Sequence, residues 1–138
     1  MPAMTPAELL KFLDEHFPQA GHVELDIEHL DDTTIRVRLP TTEQHLRPGG
    51  TISGPTLVWL VDLSFYLLLM GRLGPVAMAV TTNLNINFMN KPEQADLLAE
   101  GRLMKLGRSL AMGDVTIWSE GKKDPVAHAT LTYALPKK

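Results

Sequence analysis

The segment Thr56 to Arg72, TLVWLVDLSFYLLLMGR, restricts the fold more than any other stretch of the chain. It is apolar nearly all the way round a helix rather than along one stripe, and a helix of that kind belongs inside a core. Its longest apolar run, Leu57 to Met70, is interrupted by Asp62 and Ser64 and is shorter than the roughly 20 residues that cross a bilayer. A buried core helix is therefore expected, stopped by Gly71 and by Gly74-Pro75. The chain has 138 residues, enough for one domain, residues 1–138, and not for two. Everything else in it must wrap or support this helix.

The flanking segments read mostly as strands. Thr5, Pro6 and Glu8 form a capping signal, so TPAELLKFLDEHF is predicted to be a short outer helix with Pro at its first position. His22 to His29 alternates, with Val23, Leu25 and Ile27 on one face and Glu24, Asp26 and Glu28 on the other. After the turn at Asp31-Asp32, Ile35, Val37 and Leu39 alternate with Thr34, Arg36 and Arg38, which predicts a hairpin whose polar faces are opposite in charge. Beyond the helix, VAMAVTTNLNINFMN places Val76, Met78, Val80, Leu84, Ile86 and Phe88 on one face and Thr81, Asn83, Asn85 and Asn87 on the other. Ala95 to Leu106, Ser109 to Ser119 and Pro125 to Leu135 read as an antiparallel meander, divided at Gly107-Arg108 and at Glu120-Gly121-Lys122-Lys123. The sum is an α+β arrangement, a sheet curled around one central helix and covering it on one side. A second copy of the chain is the economical cover for the other side, so a homodimer or a dimer of dimers is expected.

Charge and composition exclude several function classes. With 13 basic and 16 acidic residues the formal charge is −3, which argues against nucleic acid or an anionic membrane as partner. The chain has no Cys, so disulfides, thiolate zinc sites and a Cys nucleophile are out. His45, His128 and the other histidines lack metal-ligand spacing, and no metal is expected. Met1 to Phe17 carries Glu8, Asp14 and Glu15 and does not read as a signal peptide. A cytoplasmic location is the expectation.

Asp62 is the residue most suited to chemistry. Val58, Trp59, Phe65 and Tyr66 lie three and four positions away on the helix, so a carboxylate there is poorly solvated, and desolvation makes a carboxylate a better base. Two roles are open to it: a structural Asp held by buried hydroxyls or backbone, or a general base. Ser53-Gly54-Pro55 opens the same helix, where N–H groups favour developing negative charge and Gly admits close approach. It reads either as a plain helix start capped by Ser53 or as an oxyanion hole. Gly54 and Asp62 are eight residues apart, about 12 Å along the helix axis. They cannot serve one carbonyl within a single chain, so a site using both needs two antiparallel helices from two subunits.

The segments RPGGTISGPTLVWLVDLS, VAMAVTTNLNINFMNKP and LGRSLAMGDVTIWSEGKKDPVAHATLTYALP, spanning Leu46 to Pro136, together resemble the PaaI-like hotdog-fold thioesterases. In that family a His-Gly-Gly triplet opens the long helix and an Asp follows in a Leu-Ala-Asp or Leu-Val-Asp context. Ser53-Gly54-Pro55 and Leu60-Val61-Asp62 occupy those positions here. The resemblance implies a hotdog fold and hydrolysis of acyl-CoA with no cofactor, the coenzyme A being part of the substrate. It implies that the Gly54 N–H polarises the thioester carbonyl, that Asp62 activates water or attacks directly, and that Thr81 helps hold the water. Ser53 replaces the family His and Arg47 replaces an upstream Asn, both at substrate-contacting positions. Trp59, Phe65, Tyr66 and Met70 suggest an apolar acyl pocket, and Lys105 and Arg108 are the basic residues best placed for coenzyme A phosphates. Two alternatives stand beside this reading: a hotdog dimer that binds acyl-CoA without turnover, and a hotdog dehydratase or hydratase, which would need a His beside the helix.

Overall fold

The computed structural model describes residues 3–16, 25–41, 52–75, 79–92 and 95–136. They form two helices, α1 (Pro6–His16) and α2 (Gly54–Leu73), and six strands, β1 (Asp26–Leu30), β2 (Thr34–Leu39), β3 (Val80–Phe88), β4 (Leu97–Leu106), β5 (Leu110–Ser119) and β6 (Ala127–Ala134). The strands make one antiparallel sheet in the order β1-β2-β4-β5-β6-β3. Alternation places Ile35, Val37, Leu39, Leu97, Ala99, Val115, Ile117, Ala129, Leu131 and Tyr133 on the inner face, all buried together with Leu57, Leu60, Phe65 and Leu68 of α2. This is the hotdog arrangement, an α+β fold in which the sheet curls around one long helix.

Helix α2 is longer than its apolar run suggested. Its 20 residues begin at Gly54 and continue through Gly71 to Leu73. The stop is Gly74 alone, at φ 89°, whose N–H bonds to the Met70 carbonyl at 2.8 Å. Gly71 is a packing position: a Cβ there would sit 3.0 Å from the Leu30 side chain. By length and composition α2 would pass for a membrane span, but 61% of its most apolar window is buried inside the protein, as in a core helix.

Helix α1 is built as its sequence reads, with Thr5 N–H on Glu8 Oε1 at 3.0 Å and Glu8 N–H on Thr5 Oγ1 at 3.2 Å. It does more than lie outside. Leu9 and Leu13 are fully buried, and the backbone N–H groups of Ala3 and Met4 reach the Gly71 carbonyl, so this segment seals the C-terminal half of α2. Every residue from Ser64 to Gly71 is buried within one chain. On the same helix Val58, Trp59, Asp62 and Leu63 remain half-exposed.

The β1–β2 hairpin forms around Asp31, whose Oδ1 accepts the N–H groups of Thr33 (2.9 Å) and Thr34 (2.8 Å). Those bonds, with the Thr34 hydroxyl and His29 on Oδ2 at 2.7 Å, hold its carboxyl well below the ordinary range. The opposite charges foreseen across the pair meet: Glu28 accepts from Arg36 at 3.1 Å and from Arg38 at 2.6 Å. The parts of the first and third strand signals at residues 22–24 and 76–78 lie outside the described residues.

Strand β3 corrects one expectation. Its register against β6 slips between Thr81 and Asn83. Thr82 is therefore an extra residue, a β-bulge. Thr81 pairs with Tyr133 and Leu84 with Leu131, both toward the helix, whereas Val80 pairs with Ala134 and Asn83 with Thr132 on the outer face. Uninterrupted alternation had put Thr81 with the asparagines and Val80 with the leucine.

Candidate functional site

The bulge delivers Thr81 to Asp62. Its Oγ1 donates to Asp62 Oδ1 at 2.7 Å, and the Tyr133 hydroxyl donates to the same oxygen at 2.6 Å and to the Asp62 backbone carbonyl at 3.1 Å. One carboxylate oxygen is thus fixed by two hydroxyls from neighbouring strands. Burial, and then the bond to Asp62, push the Tyr133 phenol far above its usual range, so it stays protonated and remains a donor. Its ring is held by Phe65 at 5.4 Å and Tyr66 at 6.3 Å between centroids. The hydroxyls that a buried structural Asp would require are present, and they also orient the carboxylate as a base must be oriented.

The other end of β3 lies over the start of α2, where Phe88 is close enough that a Cβ on Gly54 would be 3.7 Å from its ring. Ser53 is the N-cap; its Oγ accepts from the Thr56 N–H at 3.3 Å and shares a hydrogen bond with Thr56 Oγ1 at 2.7 Å. The first helical bond runs from the Leu57 N–H to the Ser53 carbonyl at 3.3 Å. The Gly54 N–H precedes it and projects from the helix end without an intrahelical acceptor. Gly54 and Asp62 lie on one unbroken helix, so the separation of about 12 Å holds.

The remaining expected residues divide. Trp59 is half-buried on the same side of α2 as Asp62 and Leu63. Phe65 and Met70 are fully buried and Tyr66 is 8% exposed, so these three are core rather than the lining of an open acyl pocket. Lys105 is exposed and pairs with Met112 on the outer face of the sheet, away from Asp62. Arg108 is exposed in the β4–β5 turn, at the end of the sheet where Ala111 pairs with Tyr133. Ser53 is occupied as a cap, and Arg47 and His45 lie outside the described residues. His128 is a hydrogen-bonded strand residue as read, 3.1 Å from Asp114. Sequence reasoning missed Tyr133. A signal existed: a tyrosine on the apolar face of a strand needs a partner for its hydroxyl.

Comparison with known proteins agrees with this geometry. The thioesterase superfamily model matches residues 49–126. A crystal structure of a candidate thioesterase from a Silicibacter species is 45% identical, covers 99% of this chain and 94% of its own, and superposes with a TM-score of 0.88. A mutant of the phenylacetic acid degradation protein PaaI from Thermus thermophilus is 29% identical, with 85% of this chain and 97% of that one covered and a TM-score of 0.73. A Streptococcus mutans protein solved bound to acetyl-CoA is 25% identical over 83% of this chain and 90% of its own, at a TM-score of 0.75. With its helix wrapped by a six-stranded antiparallel sheet and this match across its central residues, the chain belongs to the thioesterase superfamily, as a PaaI-like hotdog protein and a hydrolase of thioesterase type.

Proposed function

We propose that the protein is an acyl-CoA thioesterase working as a homodimer, with Asp62 as general base and the partner's Gly54 N–H as oxyanion donor. The observation that carries this reading is the pair of hydroxyls on one oxygen of Asp62, which leaves the second oxygen to take a proton. Because the Thr81 proton is committed to Asp62, its oxygen can only accept from a water. A water donating to Thr81 and to Asp62 Oδ2 turns a lone pair toward a thioester carbon. Attack forms a C–O bond, passes the water proton to Asp62, and puts negative charge on the carbonyl oxygen, where the partner's Gly54 N–H stabilises it. Collapse breaks the C–S bond, and the departing thiolate takes the proton back from Asp62.

The fold favours this pairing. β3 is an edge strand, and its Val80 and Phe88 are each 55% exposed. Two copies of β3 placed antiparallel about a two-fold axis would bring the Thr81–Asp62 end of one against the Phe88–Gly54 end of the other. The acetyl-CoA bound to the S. mutans relative supports coenzyme A esters as the substrate class. One observation favours the reading of acyl-CoA binding without turnover: Ser53, standing where the family has His, spends its side chain on the helix cap.

Complementation tests the reading. Asp62→Asn and Gly54→Pro, which deletes the N–H, should each be inactive in thiol release from a panel of acyl-CoA esters. Heterodimers made by co-expression hold one site with both defects and one with neither, so random reassortment should restore about a quarter of wild-type activity. Purified, folded heterodimers with no activity would overturn the shared site, and wild-type protein that binds acyl-CoA but releases no thiol would favour the binding-only reading.

A further inference from the structure

At the end of the sheet where α2 begins, a depression lies beside the Gly54 end of the site. Four contacts tie it there: Phe88 over Gly54, the Ile52 N–H on the Pro92 carbonyl at 3.3 Å, and the N–H groups of Met89 and Asn90 on the Val126 carbonyl at 2.8 and 3.3 Å. The depression holds about 260 Å³ and is lined by Asn90, Lys91, Ser119, Lys122, Lys123, Asp124 and Val126. That is less than the 300 Å³ or more of a pocket for a whole small molecule, and suits one polar group of a larger ligand.

Its chemistry selects that group. Lys91, Lys122 and Lys123 line it with one carboxylate, Asp124, among the described residues of a chain whose net charge is −3. Ser119 is 2% exposed, and its Oγ has no hydrogen-bond partner among the described residues. A buried hydroxyl normally has a partner, so one lining a basic depression marks a place for an acceptor. The frame is fixed: the Lys122 N–H bonds to the Ser119 carbonyl at 3.1 Å, Gly121 takes φ 82°, and Asn90 Nδ2 donates to the Pro125 carbonyl at 2.8 Å. The neighbouring Glu120 is neutralised by Arg38 at 2.8 Å rather than facing the lysines.

We propose that Lys91, Lys122, Lys123 and the Ser119 hydroxyl bind a phosphate of the nucleotide portion of the coenzyme A ester, on the protomer whose Gly54 polarises the thioester. This inference rests on the acyl-CoA reading above and moves phosphate recognition from Lys105 and Arg108 to the β5–β6 turn.

The test uses Lys122→Gln/Lys123→Gln and, separately, Ser119→Ala, which removes a buried hydroxyl with no partner among the described residues and so should fold normally. Calorimetry with adenosine 3′,5′-bisphosphate should show binding weakened about tenfold or more in the double variant and severalfold in Ser119→Ala, as expected for lost charge-assisted hydrogen bonds. The kcat/KM ratio of a coenzyme A ester to the N-acetylcysteamine ester of the same acyl group should fall in parallel. Unchanged nucleotide binding in both variants would overturn the site. Inorganic pyrophosphate binding as tightly as the nucleotide, with the ester ratio unmoved, would make it a free-anion site and overturn the nucleotide assignment. Lysine-dependent nucleotide binding without thiol release from any ester would uphold this site while removing the thioesterase reading.

Discussion

Replacing Asp62 by Asn separates chemistry from architecture because the side chains match in size and differ at one atom. The amide oxygen can take the place of Oδ1 and go on accepting from Thr81 and Tyr133, now at 2.7 and 2.6 Å. The amide nitrogen then stands where the proton-accepting oxygen was. A hydrogen bond to a carboxylate contributes about 1.5–3 kcal/mol and one to a neutral acceptor about 0.5–1.5, so the two bonds together weaken by about 1–3 kcal/mol. At about 2.1 cal/mol/K per residue, 138 residues give an unfolding entropy of about 290 cal/mol/K, and Tm should fall by about 3–10 °C. Turnover should fall by about 100-fold or more. The assay is thiol release followed with a chromogenic thiol reagent, normalised to the folded fraction from circular dichroism. Turnover per folded molecule within about threefold of wild type would reduce Asp62 to a structural acceptor and refute the base. Asp62→Ala should cost more stability than Asp62→Asn, since it removes both carboxylate bonds and leaves Tyr133 only the backbone carbonyl of residue 62.

Three further outcomes follow from the geometry. Tyr133→Phe keeps the ring against Phe65 and removes one donor to Asp62; kcat should drop about tenfold with Tm lower by a few degrees, and unaltered kcat would show that the second donor is dispensable. Gly113→Ala puts a methyl against the Arg102 carbonyl and the Phe65 ring, so thermal melting should show a loss of about 1–3 kcal/mol or more; a wild-type melting curve would contradict that packing. Asp31 has a folded pKa depressed by its turn hydrogen bonds, so its contribution is present above the ordinary carboxylate range and is lost as pH falls through the depressed value. Melting of Asp31→Asn against wild type from pH 7 to pH 2 should therefore show a gap that narrows only at the acid end, and a constant gap would refute the linkage.

The hairpin, the core helix and the meander were legible because period and turn chemistry agree there: Ile35, Val37 and Leu39 alternate without a break and Gly107-Arg108 marks a true turn. Gly71 misled because a glycine late in a helix looks the same whether it stops the chain or admits Leu30. Tyr133 was hidden for a different reason. Its spacing from Leu131 and Ala129 fits a plain core position, and only three-dimensional pairing shows what its hydroxyl meets. Asp62 and Gly54 were legible through their places on one helix, whereas the lysines of the β5–β6 turn gain meaning only beside Ser119 and Lys91, which lie elsewhere in the sequence.

The extra residue at Thr82 makes β3 sensitive to register in a way substitutions do not reveal. Each residue from Leu84 to Phe88 keeps its side of the sheet through pairing with β6, so that half of the strand is anchored. Straightening the strand at constant length would set Thr82 opposite Tyr133 and turn Thr81 outward, whereas deleting Thr82 would leave Thr81 opposite Tyr133. In the straightened strand Asp62 would lose the Thr81 hydroxyl and meet Thr82 in its place, though no side chain named in the site had been changed. Register, as much as identity, is thus part of what this strand must keep, and a relative that lacks the extra residue would present the same hydroxyl from a threonine placed directly before the position of Asn83.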